Sequence, residues 1–333
     1  MRQATGQIFK PLAAALLFCL VAGGDALYGQ SRSPELSSDE RPSGSQKKRG
    51  PARPVTIPIT INSRGSKARQ ELQDAGQIIV REDGEEQQIL SIRSFGSADP
   101  ITVAVLIQDD VVPSISNEIK AIGDFIRRLP RGSRVMIGYI RSGSLEVRQK
   151  FTNELEHAAG ALRVPIGSTT AAPYNPYVEV IEGLKRFEAQ PKGRRAMLVI
   201  SDGVDASRGL DNASVAQSID LQRAVRQAQR SGVAIYSFYA PTVTSTARNN
   251  QFLASNGQGS LEVLAEETGG RAFFQGTGAP VSFDPFLSDL GLSFTRQIAL
   301  TYLSTHGNKG FHRIEIRSEN TGVEIEHPSG YTR

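Results

Sequence analysis

The sequence predicts an α/β protein: a doubly wound, mostly parallel sheet with helices on both faces, flanked by small N- and C-terminal antiparallel β units. Three observations carry that expectation. Nearly continuous apolar runs recur at Ile101–Ile107, Arg195–Ser201 and Val233–Tyr239, the pattern of strands buried on both faces. Amphipathic stretches stand between them, with Ile115, Ile119, Ile122, Ile126 and Leu129 on one helical stripe and Ile219, Leu221, Val225 and Ala228 on another. At either end the apolar residues alternate with polar ones instead. Val55, Ile57, Ile59 and Ile61 do so before the core, and Ile298, Leu300 and Tyr302 after it, which is the period of half-buried strands.

The elements follow in chain order. Residues 1–26 are read as a signal peptide: Arg2 and Lys10, then the apolar run Pro11–Ala22, then Gly24-Asp25-Ala26 with small residues at a cleavage position. The run is about a dozen residues, short of the roughly 20 that span a bilayer, so cleavage is expected rather than a stable membrane anchor. Phe18 before Cys19 is too large for a lipidation site. Cys19 is the chain's one cysteine, so the exported protein is expected to have no disulfides and to reach the periplasm or the outside. Residues 27–54 are rich in Ser, Pro and charge and are expected to be a disordered linker. Its Lys47-Lys48-Arg49 run has no interleaved aromatics, and no nucleic-acid partner is expected.

Residues 55–98 form the small N-terminal β unit. Pro58 marks its first strand as an edge strand, and Asp83-Gly84 joins Gln77–Arg81 to Gln88–Phe95 in a hairpin. The core spans 99–294. Beyond the runs above it offers strands at Arg134–Ile140, Glu146–Phe151 and Arg271–Phe274. Its further helices are read at Asn153–Leu162, Tyr177–Phe187, Ser260–Thr268 and Pro285–Phe294. Residues 295–333 read as a C-terminal β meander. The two β pieces flank one core and can share a sheet. With 39% hydrophobic and 22% charged residues, the composition excludes a polytopic membrane protein and a low-complexity chain.

Ligands of open α/β sheets bind beyond the carboxyl ends of the strands, near the switch point. Two segments follow buried strands, Gln108–Ser114 and Ser201–Asp205; Gly167–Thr170 lies between them in sequence, and a doubly wound sheet can bring all three together. Asp109, Asp110, Ser114, Thr169, Thr170 and Asp202 are hard oxygen donors of the kind that hold Mg2+ or Mn2+. The plainer reading makes Asp109 and Asp110 solvated loop carboxylates, Ser114 the cap of the helix at Ile115, and Asp202 an acceptor for its own turn.

These segments resemble a von Willebrand factor A (VWA) domain, and more closely the VWA-related family of secreted acidobacterial proteins. Arg81-Glu-Asp-Gly-Glu-Glu-Gln-Gln-Ile89 is similar to that family's E-D-G-x-x-Q-x-I element. Leu198-Val-Ile-Ser-Asp-Gly-Val-Asp205 is similar to its S-D-G-x-D loop, and Leu264–Phe274 to its L-A-x-x-T-G-G-x-x-F element. Gln297–Tyr302, Phe311–Arg317 and Gly330-Tyr331 are similar to its C-terminal β segment. The resemblance spans residues 55–333. It implies a divalent-metal site of the form D-x-S-x-S, plus a Thr and an Asp from two further loops. Asp202 matches the last and Thr169 or Thr170 the second. The first is degenerate: counted from Asp109 both serines are replaced, by Val111 and Pro113, and counted from Asp110 only Ser114 survives beside Val112.

Enzyme signatures are missing. There is no G-x-S-x-G elbow, no phosphate-binding Gly-rich loop, and no metal spacing among His157, His306, His312 and His327, which are expected at surface or cross-strand positions. The expected function is therefore an exported VWA-type module of adhesion or interaction. It would meet an unidentified protein in the envelope or outside at the carboxyl end of its sheet. The alternatives are a structural or assembly module acting through the flanking β units, and a metal-dependent hydrolase built on the acidic loops.

Overall fold

The computed structural model describes residues 51–63, 76–96, 98–209, 215, 218–243 and 251–333. The signal peptide and nearly all of the linker lie outside the described residues. Strands β1 (Arg53–Ser63), β2 (Ile78–Glu82) and β3 (Glu85–Ser94) come first, β1 starting inside the expected linker. β4 (Thr102–Gln108), β5 (Arg134–Arg141), β6 (Ser144–Thr152), β7 (Arg195–Ser201), β8 (Ala234–Tyr239) and β9 (Ala272–Phe273) form the middle. β10 (Gln297–Ser304), β11 (Phe311–Ser318), β12 (Val323–Glu326) and β13 (Gly330–Thr332) close the chain. The helices are α1 (Ile119–Arg127), α2 (Leu155–Gly160), α3 (Pro176–Lys185), α4 (Ile219–Ser231), α5 (Gln251–Glu266) and α6 (Asp284–Arg296).

The middle strands make a six-stranded sheet in the order β6-β5-β4-β7-β8-β9. Every pair is parallel except β5 with β6. The chain thus starts at β4, winds outward through β5 to β6, returns, and winds the other way through β7, β8 and β9. Its switch point lies between β4 and β7. All of β4 is buried, and its alternate side chains enter two different cores. Val103, Val105 and Ile107 join Ile122, Phe125 and Ile126 of α1 with Leu287, Leu290 and Phe294 of α6. Ala104 and Leu106 join Val180 and Leu184 of α3 with Leu221, Val225 and Ala228 of α4. That is why these strands read as unbroken apolar runs.

The first three and last four strands make one antiparallel sheet, ordered β12-β1-β10-β3-β2-β11-β13. The two β pieces thus share one sheet, as their flanking positions allowed; what differs is that 295–333 is not a meander of its own. β10 lies between β1 and β3, and β11 pairs with β2, so strands from the two chain ends interleave. Their inner face has its own core, with Ile57, Ile59 and Ile61 of β1, Val80 of β2, Leu300 and Tyr302 of β10, and Ile314 and Ile316 of β11. The edge assignment from Pro58 is corrected too. β1 has neighbours on both sides, but β12 pairs only with Thr60–Ser63, so at Pro58 a single partner remains, Ala299 of β10. One flank of β1 is therefore open at Pro58, the setting in which a residue without an N–H is tolerated in a strand. The β2–β3 turn has Asp83 at φ 51° and Gly84 at φ 86°, both left-handed, as a two-residue hairpin turn requires.

His312 takes a cross-strand position, opposite Tyr331 of β13, but is buried there, and His306, expected at a surface or cross-strand position, is buried in the connection before β11. Glu82 continues the inward face of β2 below Val80 and is fully buried. His306 and His312 close over it, with His312 Nδ1 3.4 Å and His306 Nδ1 3.8 Å from its carboxylate. The Tyr331 hydroxyl donates to Glu82 at 2.9 Å. A carboxylate at the end of an apolar stripe needs such company, which the sequence period alone does not reveal.

Three local boundaries also differ. The stripe from Ile115 to Leu129 begins as a 3-10 turn over Pro113–Glu118 before α1 takes over. Ser114 does not cap it: Val112 holds the cap position and Pro113 follows. α5 begins at Gln251, nine residues before the expected Ser260. The two sheets are stapled by the buried Arg194, just before β7. Its guanidinium donates to the carbonyls of Asp99 (2.8 Å) and Phe294 and to Gln297 Oε1 (3.1 Å), the points where the chain enters and leaves the six-stranded sheet.

Candidate functional site

The switch point places the loops after β4 and β7 side by side, and the structure closes a third loop over them. Val111 bridges to Thr242, just beyond β8. The Val112 N–H donates to the Pro241 carbonyl at 2.9 Å, and the Val243 N–H to the Asp110 carbonyl at 3.1 Å. In the sheet β7 lies between β4 and β8, so this zipper crosses the end of β7. Val111, at the position of an expected serine, is fully buried in the apolar core. A fourth segment is tied in from the side, its Gly167 N–H donating to the Asp109 carbonyl at 2.9 Å.

Under this cover lie three buried carboxylates with different partners. Asp109 is held by arginines. Arg163 donates Nη1 to Oδ1 at 2.6 Å and Nη2 to Oδ2 at 2.9 Å, Arg141 Nε lies 3.3 Å from Oδ2, and the Ile166 N–H donates to Oδ1 at 2.9 Å. Arg163 also lies over the Tyr139 ring, 3.8 Å from its centroid. Its hydrogen bond to Asp109 raises the guanidinium pKa further.

Asp110 and Asp202 share Gln108. Gln108 Nε2 donates to Asp110 Oδ1 at 2.9 Å, while its Oε1 accepts from the Ser201 hydroxyl and, at 3.3 Å, from the Asp202 N–H. Asp202 also accepts from the Val204 N–H at 3.1 Å and the Thr242 hydroxyl at 2.8 Å. Burial, and then the charge of Asp202, pushes the Asp110 carboxyl up to about 7; burial also raises Asp202. Next along the β7 loop, Asp205 accepts from the Ser218 hydroxyl at 2.6 Å and so fixes the loop to the start of α4, where Ser218 caps the helix.

The hydroxyl candidates stand elsewhere. Ser114, Thr169 and Thr170 are exposed, whereas Asp109, Asp110 and Asp202 are buried. Thr170 is engaged locally, its hydroxyl 3.0 Å from that of Ser168. A Mg2+ or Mn2+ ion needs a near-octahedral set of oxygens. Here both oxygens of Asp109 face guanidinium groups, both of Asp202 accept from protein donors, and Val111 and Pro113 offer no side-chain oxygen. The residues present do not fit such an ion. Among the described residues no group of three or more His, Cys, Asp or Glu side chains is placed to hold a metal.

Gln108, Arg141, Arg163 and Thr242 organise the site, yet none stood out as a candidate. Gln108 had one signal, as the polar residue ending an otherwise apolar buried strand. Arg163 had none, because it lies 54 positions from the carboxylate it neutralises.

No protein-family model matches the sequence, and no curated protein matches it. Solved structures similar to the chain include an aerotolerance-related membrane protein from Bacteroides fragilis, at 10% identity and a TM-score of 0.41 over 59% of this chain and 99% of that one. The conserved hypothetical protein BatB from Bacteroides thetaiotaomicron aligns at 10% identity and a TM-score of 0.38, over 59% and 98%. The VWA domain of SpRpn10 aligns at 12% identity and a TM-score of 0.35, over 58% and 94%.

Proposed function

We propose that the chain is an exported, VWA-type protein-interaction module that recognises a partner at the carboxyl edge of its six-stranded sheet, without metal and without catalysis. The doubly wound arrangement with helices on both faces belongs to this reading, supported by the strand order about β4 and by the two cores that β4 feeds. The observation that carries the function is the segment running over that edge. Its backbone is pinned to Asp109 at Ile166 and Gly167, and the Tyr174 carbonyl accepts from the Ala206 N–H at 2.8 Å. Yet it presents Val164, Ile166 and Tyr174 to solvent, Tyr174 being 74% exposed. Held apolar side chains on a fixed backbone are what a protein partner uses as anchors. Among the described residues no helix is long and apolar enough to cross a membrane. The edge strands of the antiparallel sheet, β12 and β13, have four and three residues, which leaves little ladder for strand addition by an assembly partner.

A photo-crosslinking side chain placed at Tyr174 tests the reading, with Leu292 as control. Leu292 is exposed near the opposite edge, two residues before the Phe294 carbonyl that Arg194 binds. Irradiation in envelope extract is expected to give a discrete adduct from position 174, unchanged by EDTA, and none from 292. Adducts equal at both positions, or an EDTA-sensitive one, would overturn it.

A further inference from the structure

The corner of the carboxyl edge beside β6 holds more positive charge than its ion pairs consume. Arg141 reaches Asp109 and, through Nη1 at 2.9 Å, Glu146. Arg163 is committed to Asp109, to the Val164 carbonyl and to Glu146. Arg148 comes no nearer than 3.7 Å to Glu146, and half of its side chain is exposed. Three guanidinium groups thus share two carboxylates, one of them fully buried. Beside them Val164 and Ile166 are 57% and 49% exposed, on either side of the buried Pro165. A surplus arginine alone is an ordinary solvated charge. Here it is joined through Glu146 to Arg163, which leads directly into Val164 and Ile166, two large apolar side chains on a segment whose backbone is tied to the same Asp109.

We propose that this corner docks an acidic, apolar segment of a partner protein, with a carboxylate set against Arg141 and Arg148 and apolar side chains laid on Val164 and Ile166. The inference rests on the carboxyl edge being the recognition surface, and it names the chemistry of what is recognised. Charge complementarity selects the occupant. A basic segment would meet the surplus charge with its own, whereas a carboxylate can take two parallel N–H bonds from a guanidinium. Apolar contact beside the charge excludes water and gives the pair more weight than an exposed surface bridge has.

The test is fluorescence anisotropy of the purified mature protein with a labelled peptide of repeating Asp-Asp-Leu. The same peptide with Asn for Asp, the same with Ser for Leu, and a polyphosphate competitor serve as controls. Saturable binding is expected, weakened by salt and absent for both altered peptides. Arg148→Glu is expected to weaken it about fivefold, as befits one surface charge, and the V164S/I166S double variant at least as much. Melting curves confirm that the variants fold, and Arg148→Gln replaces Arg148→Glu if the reversal does not. No binding of the Asp-Asp-Leu peptide, binding indifferent to these variants, or displacement by polyphosphate as effective as by unlabelled peptide would overturn the proposal. If the Tyr174 adduct survives in Arg148→Glu while the peptide test fails, the edge remains the recognition surface and this corner alone is wrong.

Discussion

Gln108 is the residue on which the switch point turns. Its amide donates to Asp110 with one end and accepts from the β7 loop with the other, so two buried carboxylates are kept in one network. Two such carboxylates do not both ionise freely, and Asp110 carries the burden, raised to about 7 by burial and then by the charge of Asp202. In an unfolded chain an Asp titrates near ~3.9. A group whose folded pKa is raised stabilises the fold fully below the unfolded value, and that contribution is lost as pH rises through the folded one. Asp110 therefore costs the protein stability progressively from about pH 4 to about pH 7. Asp110→Asn is expected to flatten the melting temperature against pH across that window, with the larger gain over wild type at its alkaline end. A slope equal to that of the wild type would show that Asp110 does not hold the proton. The Asp residues themselves were legible because they end an apolar run. Arg141 and Arg163, which convert Asp109 from a ligand into an ion-pair partner, were not, since nothing local couples residues so far apart in sequence.

At the level of elements, α5 shows what a sequence period conceals. Its first half, Gln251–Gly259, carries two glycines and few apolar residues, so propensity argues against a helix there. Tertiary contact overrides it. A Cβ on Gly257 would stand 2.0 Å from the Asp202 carbonyl oxygen, and one on Gly203, whose φ is +69°, would stand 2.4 Å from the Gly257 carbonyl oxygen. The glycines allow α5 to lie directly on the β7 loop and fix the backbone that carries Asp202. Gly257→Ala would improve the helix by about 1 kcal/mol in isolation. In the fold it must push the loop away, and a net loss of about 2 kcal/mol is expected in urea denaturation, the usual scale of overpacking. A variant as stable as wild type would mean that the helix and loop can separate without cost. Strands β4 and β7 were legible for the opposite reason, being buried on both faces, where composition and environment agree. The antiparallel sheet was legible strand by strand but not in its order, because alternation fixes which side faces in and says nothing about neighbours.

For the whole molecule, the interleaving of chain ends makes the antiparallel sheet the closure of the fold. The chain leaves β3, builds the entire six-stranded sheet, and returns at β10 to a place between β1 and β3. The two sheets therefore meet at two crossovers, after Phe95 and after Phe294, and Arg194 sits at both. Its guanidinium binds the Asp99 and Phe294 carbonyls and Gln297 Oε1, and lies 5.2 Å from the centroid of the Phe95 ring. Burial works against its charge and lowers its pKa, so the site holds a cation for its geometry and not for cheap solvation. Arg194→Met keeps much of the apolar stem but leaves three acceptors without their donor. A loss of about 3 kcal/mol is expected, the scale for hydrogen bonds to a charged group. The more telling readout is cooperativity. Each sheet has its own core, so with the staple removed β1–β3 and β10–β13 should exchange amide hydrogens earlier than β4, β7 and β8, in two resolved steps by mass spectrometry. If both sheets of Arg194→Met still open together, the coupling lies in the broader contact between them, and the arginine only trims a junction that the interleaved strands already secure.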